Sequence, residues 1–273
     1  MAAPAPFVAE AFPRSGRRAR PCLYPRAVLI LLPPSEGKAA APRRGAPLDL
    51  DRLALPELSD ARTAVLDDLV KLSDDPPLAL ATLGLTPGLA GEAARNADLR
   101  TAPTLPAATL YTGVLYDALG LASLSGPALA RARKQLLIFS GLWGVLRPAD
   151  RVPPYRCSIG VRLPTAGVLT AHWRAALPPV LDAHAGDTLV LDLRSSAYMP
   201  MWTPRNAVTV RVLHGGKVVS HFNKATKGRL VRALLLAGAR PRTPAALAAA
   251  VRDLGYTVAA RTPHELDITV DSL

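Results

Sequence analysis

Val28-Leu29-Ile30-Leu31-Leu32 is apolar at every position and is stopped by Pro33-Pro34-Ser35-Glu36-Gly37-Lys38. A strand with one wet face alternates polar and apolar residues. An unbroken apolar run reads instead as a strand buried on both faces, as in a sheet covered by helices. Working outward, residues 135–139, 188–193, 208–213 and 217–220 read as further strands. Residues 56–98 read as helical, since Leu66, Leu69, Val70 and Leu72 have helical spacing, and Thr86-Pro87-Gly88-Leu89-Ala90-Gly91 divides that stretch into two arms. Residues 171–183, 226–237 and 244–254 complete the set of helices, the last opening on Thr243 as N-cap with Pro244 at its first position. Strands alternating with helices predict an α/β protein, a mixed sheet core surrounded by helices in one compact domain.

Composition narrows the function classes. The chain has 273 residues, 49% hydrophobic and 20% charged, too apolar to be largely disordered and long enough to bury a core without staples. Its apolar runs are far shorter than the ~18 residues a membrane span needs. Cys22 and Cys157 exclude a disulfide framework and lie outside any CxxC motif, so the protein reads as soluble and cytoplasmic, without a membrane partner. Residues 1–26 form a Pro- and Arg-rich stretch with no apolar core for a secretory signal; they read as a disordered extension, or as the product of an upstream start codon, before a body spanning 27–273. Oligomeric state stays open.

The formal charge is +12. Most of the basic residues are arginines, which GC-rich coding also produces, so distribution says more than the total. From Leu193 to Arg252 there is no Asp or Glu, while Arg194, Arg205, Arg211, Lys217, Lys224, Lys227, Arg229, Arg232, Arg240, Arg242 and Arg252 fall in that window. Solvated surfaces normally mix both signs, so a one-sign segment points to an anionic ligand. Its centre is Ser220-His221-Phe222-Asn223-Lys224-Ala225-Thr226-Lys227-Gly228-Arg229. A helix starting near Thr226 would place Lys227 and Arg229 in its first turn, where cations oppose the macrodipole unless an anion binds.

Two further loops carry chemistry. Phe139-Ser140-Gly141-Leu142-Trp143-Gly144-Val145-Leu146-Arg147-Pro148, followed by Asp150 and Pro154-Tyr155-Arg156, offers Arg147 and Arg156 as phosphate clamps and Trp143 or Tyr155 as a base-stacking surface. An Arg–Asp pair bracing a buried Trp loop is the equal alternative. Asp192-Leu193-Arg194-Ser195-Ser196-Ala197-Tyr198 sits at the end of a strand, where open α/β sheets place ligands, with Arg194, Ser195 and Ser196 as anion-binding candidates. No G-x-S-x-G elbow surrounds these serines, and the Lys38 loop is no Walker A motif. His172, His184, His214, His221 and His264 show no HxH or HExxH spacing, so no metal site and no cofactor are expected.

Together these loops resemble the YaaA peroxide-stress protein family. The diagnostic pieces are residues 31–38, Tyr111-Thr112-Gly113, 140–148 with 154–156, 193–198, and Lys224-Ala225-Thr226-Lys227-Gly228, covering about 28–236. The resemblance implies a positively charged cleft that binds DNA in bacterial defence against hydrogen peroxide, by limiting iron-driven damage. It also implies a helix-hairpin-helix element gripping phosphates through glycine-loop N–H groups. Gly88 and Gly91 match it best, one residue further apart than the usual hairpin glycines. Many relatives carry Glu where this chain has Ala197, and they begin near the first strand.

Two functions follow. Non-sequence-specific DNA binding would engage Lys38, Arg147, Arg156, Arg194, Ser195, Ser196, Lys224, Lys227, Arg229, Gly88 and Gly91. An enzyme acting on a nucleotide- or nucleobase-like small molecule would use Lys224 or Lys227 as cationic stabiliser and Tyr198 or His221 for proton transfer, with the two lysines depressing the Tyr198 phenol. Either way, the loops at Lys38, 143–156, 194–198 and 220–229 are expected to converge on one cleft.

Overall fold

The computed structural model describes residues 28–214, 217–218 and 220–270, so the Pro- and Arg-rich stretch 1–26 lies outside the described residues. In chain order the principal elements are β1 (Leu29–Leu32), α1 (Ser59–Leu72), α2 (Pro76–Leu83), α3 (Ala90–Ala94), α4 (Ala107–Leu110), α5 (Val114–Leu119), α6 (Gly126–Gln135), β2 (Leu136–Ser140) and β3 (Gly144–Leu146). They continue with α7 (Leu169–Ala185), β4 (Val190–Asp192), β5 (Ala207–His214), β6 (Lys217–Val218), α8 (Ser220–Ala237), α9 (Pro244–Asp253), β7 (Thr257–Thr262) and β8 (Glu265–Thr269).

The strands form one mixed sheet in the order β7-β8-β5-β4-β1-β2-β3, with β6 pairing to β5 off that path. β1 lies at its centre, fully buried, parallel to β2 through Leu31↔Leu137 and to β4 through Leu31↔Asp192. The chain leaves β1 for β2 on one side and returns to β4 on the other. Such a reversal is the switch point beyond whose carboxyl strand ends open α/β sheets hold their ligands. Leu32, Ser140 and Asp192 are the last residues of β1, β2 and β4 at that edge.

Local chemistry sets the helix boundaries. Asp75 caps α2, its carboxylate accepting from the Leu78 N–H at 3.0 Å with Pro76 at the first position, which splits the long 56–98 stretch earlier than hydrophobic spacing shows. Thr243 caps α9 as the sequence predicts. The chain turns after α2 at Gly84, whose φ of 64° is the left-handed conformation. Gly88 and Gly91 lie in the 3-10 turn and helix that follow, neither with positive φ. Of the two expected hairpin glycines, Gly88 lies in the connection between α2 and α3 and Gly91 within α3. None of the helices is long and apolar enough to cross a membrane among the described residues.

Helix α8 begins at Ser220, not near Thr226. Its buried residues Thr226, Leu230, Val231, Leu234 and Leu235 recur at helical spacing. Lys227 and Arg229 thus lie in its third turn, away from its N–H end. Gly228 faces α5, and a Cβ there would collide with the Leu115 carbonyl oxygen. The bare backbone lets the two helices close up.

Candidate functional site

Two motifs distant in sequence are zipped together at the carboxyl edge of the sheet. Lys38 and Tyr111 form an isolated antiparallel bridge, the Ala39 N–H donates to the Leu110 carbonyl at 2.8 Å, and Ser35 Oγ accepts from the Thr112 N–H at 3.2 Å. This joins the Pro33–Lys38 loop to Tyr111-Thr112-Gly113. Tyr116 fastens the same loop by donating its hydroxyl to the Pro33 carbonyl at 2.6 Å.

Beneath the loop lies a buried hydroxyl chain. The Tyr155 hydroxyl is 2.7 Å from Ser140 Oγ and 2.9 Å from the Tyr111 hydroxyl, and Ser140 Oγ accepts from the Trp143 N–H at 3.0 Å. Burial pushes the Tyr111, Tyr116 and Tyr155 phenols above their ordinary range, so all three stay protonated at neutral pH. Lys38 Nζ sits over the Tyr155 ring, 4.3 Å from its centroid, and donates to the carbonyls of Ser35 and Glu36 at 3.0 and 3.3 Å.

That ammonium has no carboxylate partner among the described ion pairs. Glu92 and Glu36, the two carboxylates in electrostatic range, are drawn to Arg156 at 3.2 and 3.6 Å. Burial, then repulsion from Arg156, lowers the Lys38 amine to about 8. Below that pH the folded and unfolded states both hold the proton. Between about 8 and the ordinary lysine value of 10.5 the unfolded chain binds more protons, so the Lys38 contribution to stability rises with pH. The stability of wild type relative to Lys38→Met should therefore increase by about 3 kcal/mol across that window. Denaturant melts of both proteins at pH 7 and pH 10 measure it; a pH-independent gap would contradict the assignment.

The third loop meets the cluster through Tyr198, which is half-buried. Burial raises its phenol to about 12, the Ile159 N–H hydrogen bond pulls it back, and Cys157 and Glu36 add to the rise. The expected depression by Lys224 and Lys227 does not occur. Lys224 is exposed, and Lys227 is half-buried, its amine lowered by burial with Asp192 pulling it partly back. Cys157, buried between these groups, has its thiol pushed up to about 12 by burial.

Several predicted anion-binding groups are committed inside the fold. Arg194 is 4% exposed and forms a bidentate pair with Asp192, Nε to Oδ1 at 2.9 Å and Nη2 to Oδ2 at 2.6 Å. Its remaining N–H groups reach the Trp202 and Tyr198 carbonyls at 2.8 and 3.1 Å, and the guanidinium covers the Phe139 ring. It shapes the 194–198 loop from inside rather than meeting a ligand. Arg147 donates to the Arg133 and Lys134 carbonyls at the end of α6 and contacts His184 at 2.9 Å. Arg156 holds Glu92 of α3, so the predicted hairpin arm presents an acid to an arginine. Ser195 and Ser196 are exposed beside Tyr198, and Lys224 and Arg229 are exposed on α8. The His221 side chain lies outside the described residues.

The Trp loop settles toward structure, with a different brace. Trp143 is 0% exposed and cannot stack on a base; Tyr155 packs edge-on against it, 6.1 Å between centroids. The brace is Arg62, fully buried, donating to the carbonyls of Trp143, Val145 and Ala54 at 3.2, 2.8 and 2.8 Å. Asp150 caps the loop instead, accepting from the Arg147 and Ala54 N–H groups. Sequence reading missed Arg62 and Asn96. Asn96 is fully buried and grips the Arg156 backbone in both directions at 2.8 and 2.9 Å. A charged or amide residue on the inward stripe of a predicted helix was the available signal for Arg62.

A cavity of 130 Å³ lined by Asp182, Trp202, Arg205 and Asn206 lies at the opposite, amino edge of β4, away from the Lys38 cluster. Among the described residues no three His, Cys, Asp or Glu side chains gather as a metal site would need.

Comparison with known proteins gives a consistent answer. The family described as "Peroxide stress protein YaaA" matches residues 28–262. A UPF0246 protein of Streptomyces coelicolor is 58% identical over 244 residues, covering 86% of this chain and 94% of that protein. A UPF0246 protein of Corynebacterium efficiens is 45% identical over 241 residues, covering 85% and 94%. An uncharacterized Campylobacter jejuni protein is 34% identical over 135 residues, covering 49% and 54%.

Proposed function

The chain belongs to the YaaA peroxide stress protein family, and from that membership we propose that it binds DNA through the phosphate backbone, without regard to base sequence. The observation that carries this reading is the stretch from Leu193 to Arg252, which holds no carboxylate while exposing Lys224 and Arg229 on α8. Neither cation has an ion pair among the described residues. With no internal counter-charge on that segment, a polyanion is the complementary partner. Lys227, turned to Asp192, contributes less, and Ser195 and Ser196 can add neutral hydrogen bonds. Occupancy of the duplex would then be the protein's contribution during peroxide stress.

Fluorescence anisotropy with duplexes of unrelated sequence tests this. Affinity should be nearly the same for each duplex and fall steeply with salt, each neutralised phosphate contributing about −0.9 to the slope of log affinity against log salt. Lys224→Ala with Arg229→Ala should flatten the slope by up to about two units. An unchanged affinity and slope would overturn the reading.

One observation favours a second reading, an enzyme acting on a nucleotide- or nucleobase-like molecule. The hydroxyl and amine groups around Lys38 are richer than phosphate gripping requires. Lys38, rather than Lys224 or Lys227, is then its reactive cation, and Tyr198 a proton donor rather than a base.

A further inference from the structure

We infer that Lys38 is a covalent site, its amine condensing with the carbonyl group of an aldehyde or ketone to form an imine. This goes beyond DNA binding and does not depend on it. The geometry has three parts. First, the two carboxylates within range of the amine, Glu36 and Glu92, are taken up by Arg156, so no counter-ion holds it as an ammonium. Second, Nζ donates to two carbonyls, those of Ser35 and Glu36. A neutral amine has two N–H bonds, so these two contacts use both and leave the lone pair as the uncommitted direction. Third, the Tyr155 face 4.3 Å away and the Tyr111 ring 5.8 Å away give the amine a desolvated wall while the residue stays partly open to solvent. A desolvated lysine is the usual form of an imine-forming nucleophile.

The groups facing Nζ are Arg156, Glu92, Glu36, Cys157, Tyr111 and Tyr155. Arg156 and burial favour the neutral amine; the two carboxylates, the thiol and the two ring faces oppose it. In the reaction the lone pair forms an N–C bond as the carbonyl π pair moves to oxygen, and one nitrogen proton is relayed to that oxygen. The carbinolamine then loses its hydroxyl as water, taking the second nitrogen proton overall, and leaves a C=N bond. No electrons are gained or lost. The proton donor assigned is Tyr198, which shares Glu36 and Cys157 as neighbours with Lys38. The Tyr111, Tyr155 and Tyr116 hydroxyls are already tied to one another, to Ser140 and to Pro33. Tyr198 accepts from the Ile159 amide, and its own O–H remains the donor.

The aldehyde could be a small phosphorylated metabolite or the open sugar of an abasic site in DNA, and the experiment separates them. Full-length protein is incubated at pH 7.5 with sodium cyanoborohydride and either glyceraldehyde 3-phosphate or a duplex carrying one abasic site, then mapped by peptide mass spectrometry. The expected product is a secondary amine at Lys38, formed at least about tenfold faster than at Lys71, Lys134, Lys217, Lys224 or Lys227, and absent in Lys38→Arg. Labelling from the duplex alone assigns the aldehyde to nucleic acid, and labelling from glyceraldehyde 3-phosphate alone to a metabolite; both uphold the site. Labelling of Lys38 no faster than the other lysines in both arms overturns it. That comparison is internal to the wild-type protein, so it stands even if Lys38→Arg folds poorly. Anisotropy with an intact duplex scores DNA binding separately.

Discussion

Gly228→Ala should be among the most destabilising single-methyl additions in this protein. Gly228 lies in the third turn of α8, where α5 crosses so closely that a Cβ would overlap the Leu115 carbonyl oxygen and stand 2.9 Å from the Ala118 Cβ and 3.1 Å from the Leu119 N. Two of those atoms are helix backbone, so relief needs the helices to separate rather than a side chain to rotate. Overpacking of this kind costs about 1–3 kcal/mol, at the upper end where backbone must move. Alanine's better helix propensity returns up to about 1 kcal/mol. A net loss of about 2 kcal/mol is expected by denaturant melting. Gly91→Ala is the control, since that glycine is helical with nothing within 4 Å of its Cβ position. It should be neutral or slightly stabilising. Equal effects at both positions would show that helix packing is not what the glycine serves.

Removing the carboxylate at the end of β4 should cost more. Asp192 is 4% exposed and accepts from the Arg194 N–H at 3.1 Å, Nε at 2.9 Å and Nη2 at 2.6 Å. Asp192→Ala leaves a buried guanidinium uncompensated and takes the stabilising charge from Lys227, so a loss of about 3–5 kcal/mol is expected. The partner change Asp192→Leu with Arg194→Met should recover much of it, because the pair is expensive to break and cheaper to replace whole. A small loss in the single variant would mean that solvent reaches Arg194.

The first strand and its neighbours were legible because burial on both faces leaves a plain mark: Leu29–Leu32 and Val190–Asp192 fall within the predicted runs, and Leu136–Ser140 is displaced by one residue from its run. The β7–β8 hairpin was missed. Its exposed face carries Thr257, Arg261 and Asp267 in a mixed pattern, and only Leu266 and Ile268 mark the inner side. The site was legible as loops and not as contacts. Sequence alone identified Lys38 and Arg156 as cations of one region, but not that Arg156 withdraws Glu36 and Glu92 from Lys38. It likewise took Arg194 as an anion-binding group, and Arg147 as either a phosphate clamp or a brace of the Trp loop. The Arg147 partners, His184 and the α6 carbonyls, are distant in sequence and meet it only through packing, whereas Asp192 lies two residues before Arg194 and only the burial of the pair was hidden. Charge counting identifies a basic segment; which cations stay outside is decided by long-range packing.

At the carboxyl edge of the sheet, burial and Arg156 together lower the Lys38 amine to about 8. Reductive ¹³C-dimethylation of the folded protein gives one NMR signal per lysine, each assigned by Lys→Arg replacement and followed from pH 6 to 11. The Lys38 signal should titrate with a midpoint near 8. A Lys38 midpoint in the ordinary lysine range near ~10.4 would contradict burial and Arg156 as the forces that set it.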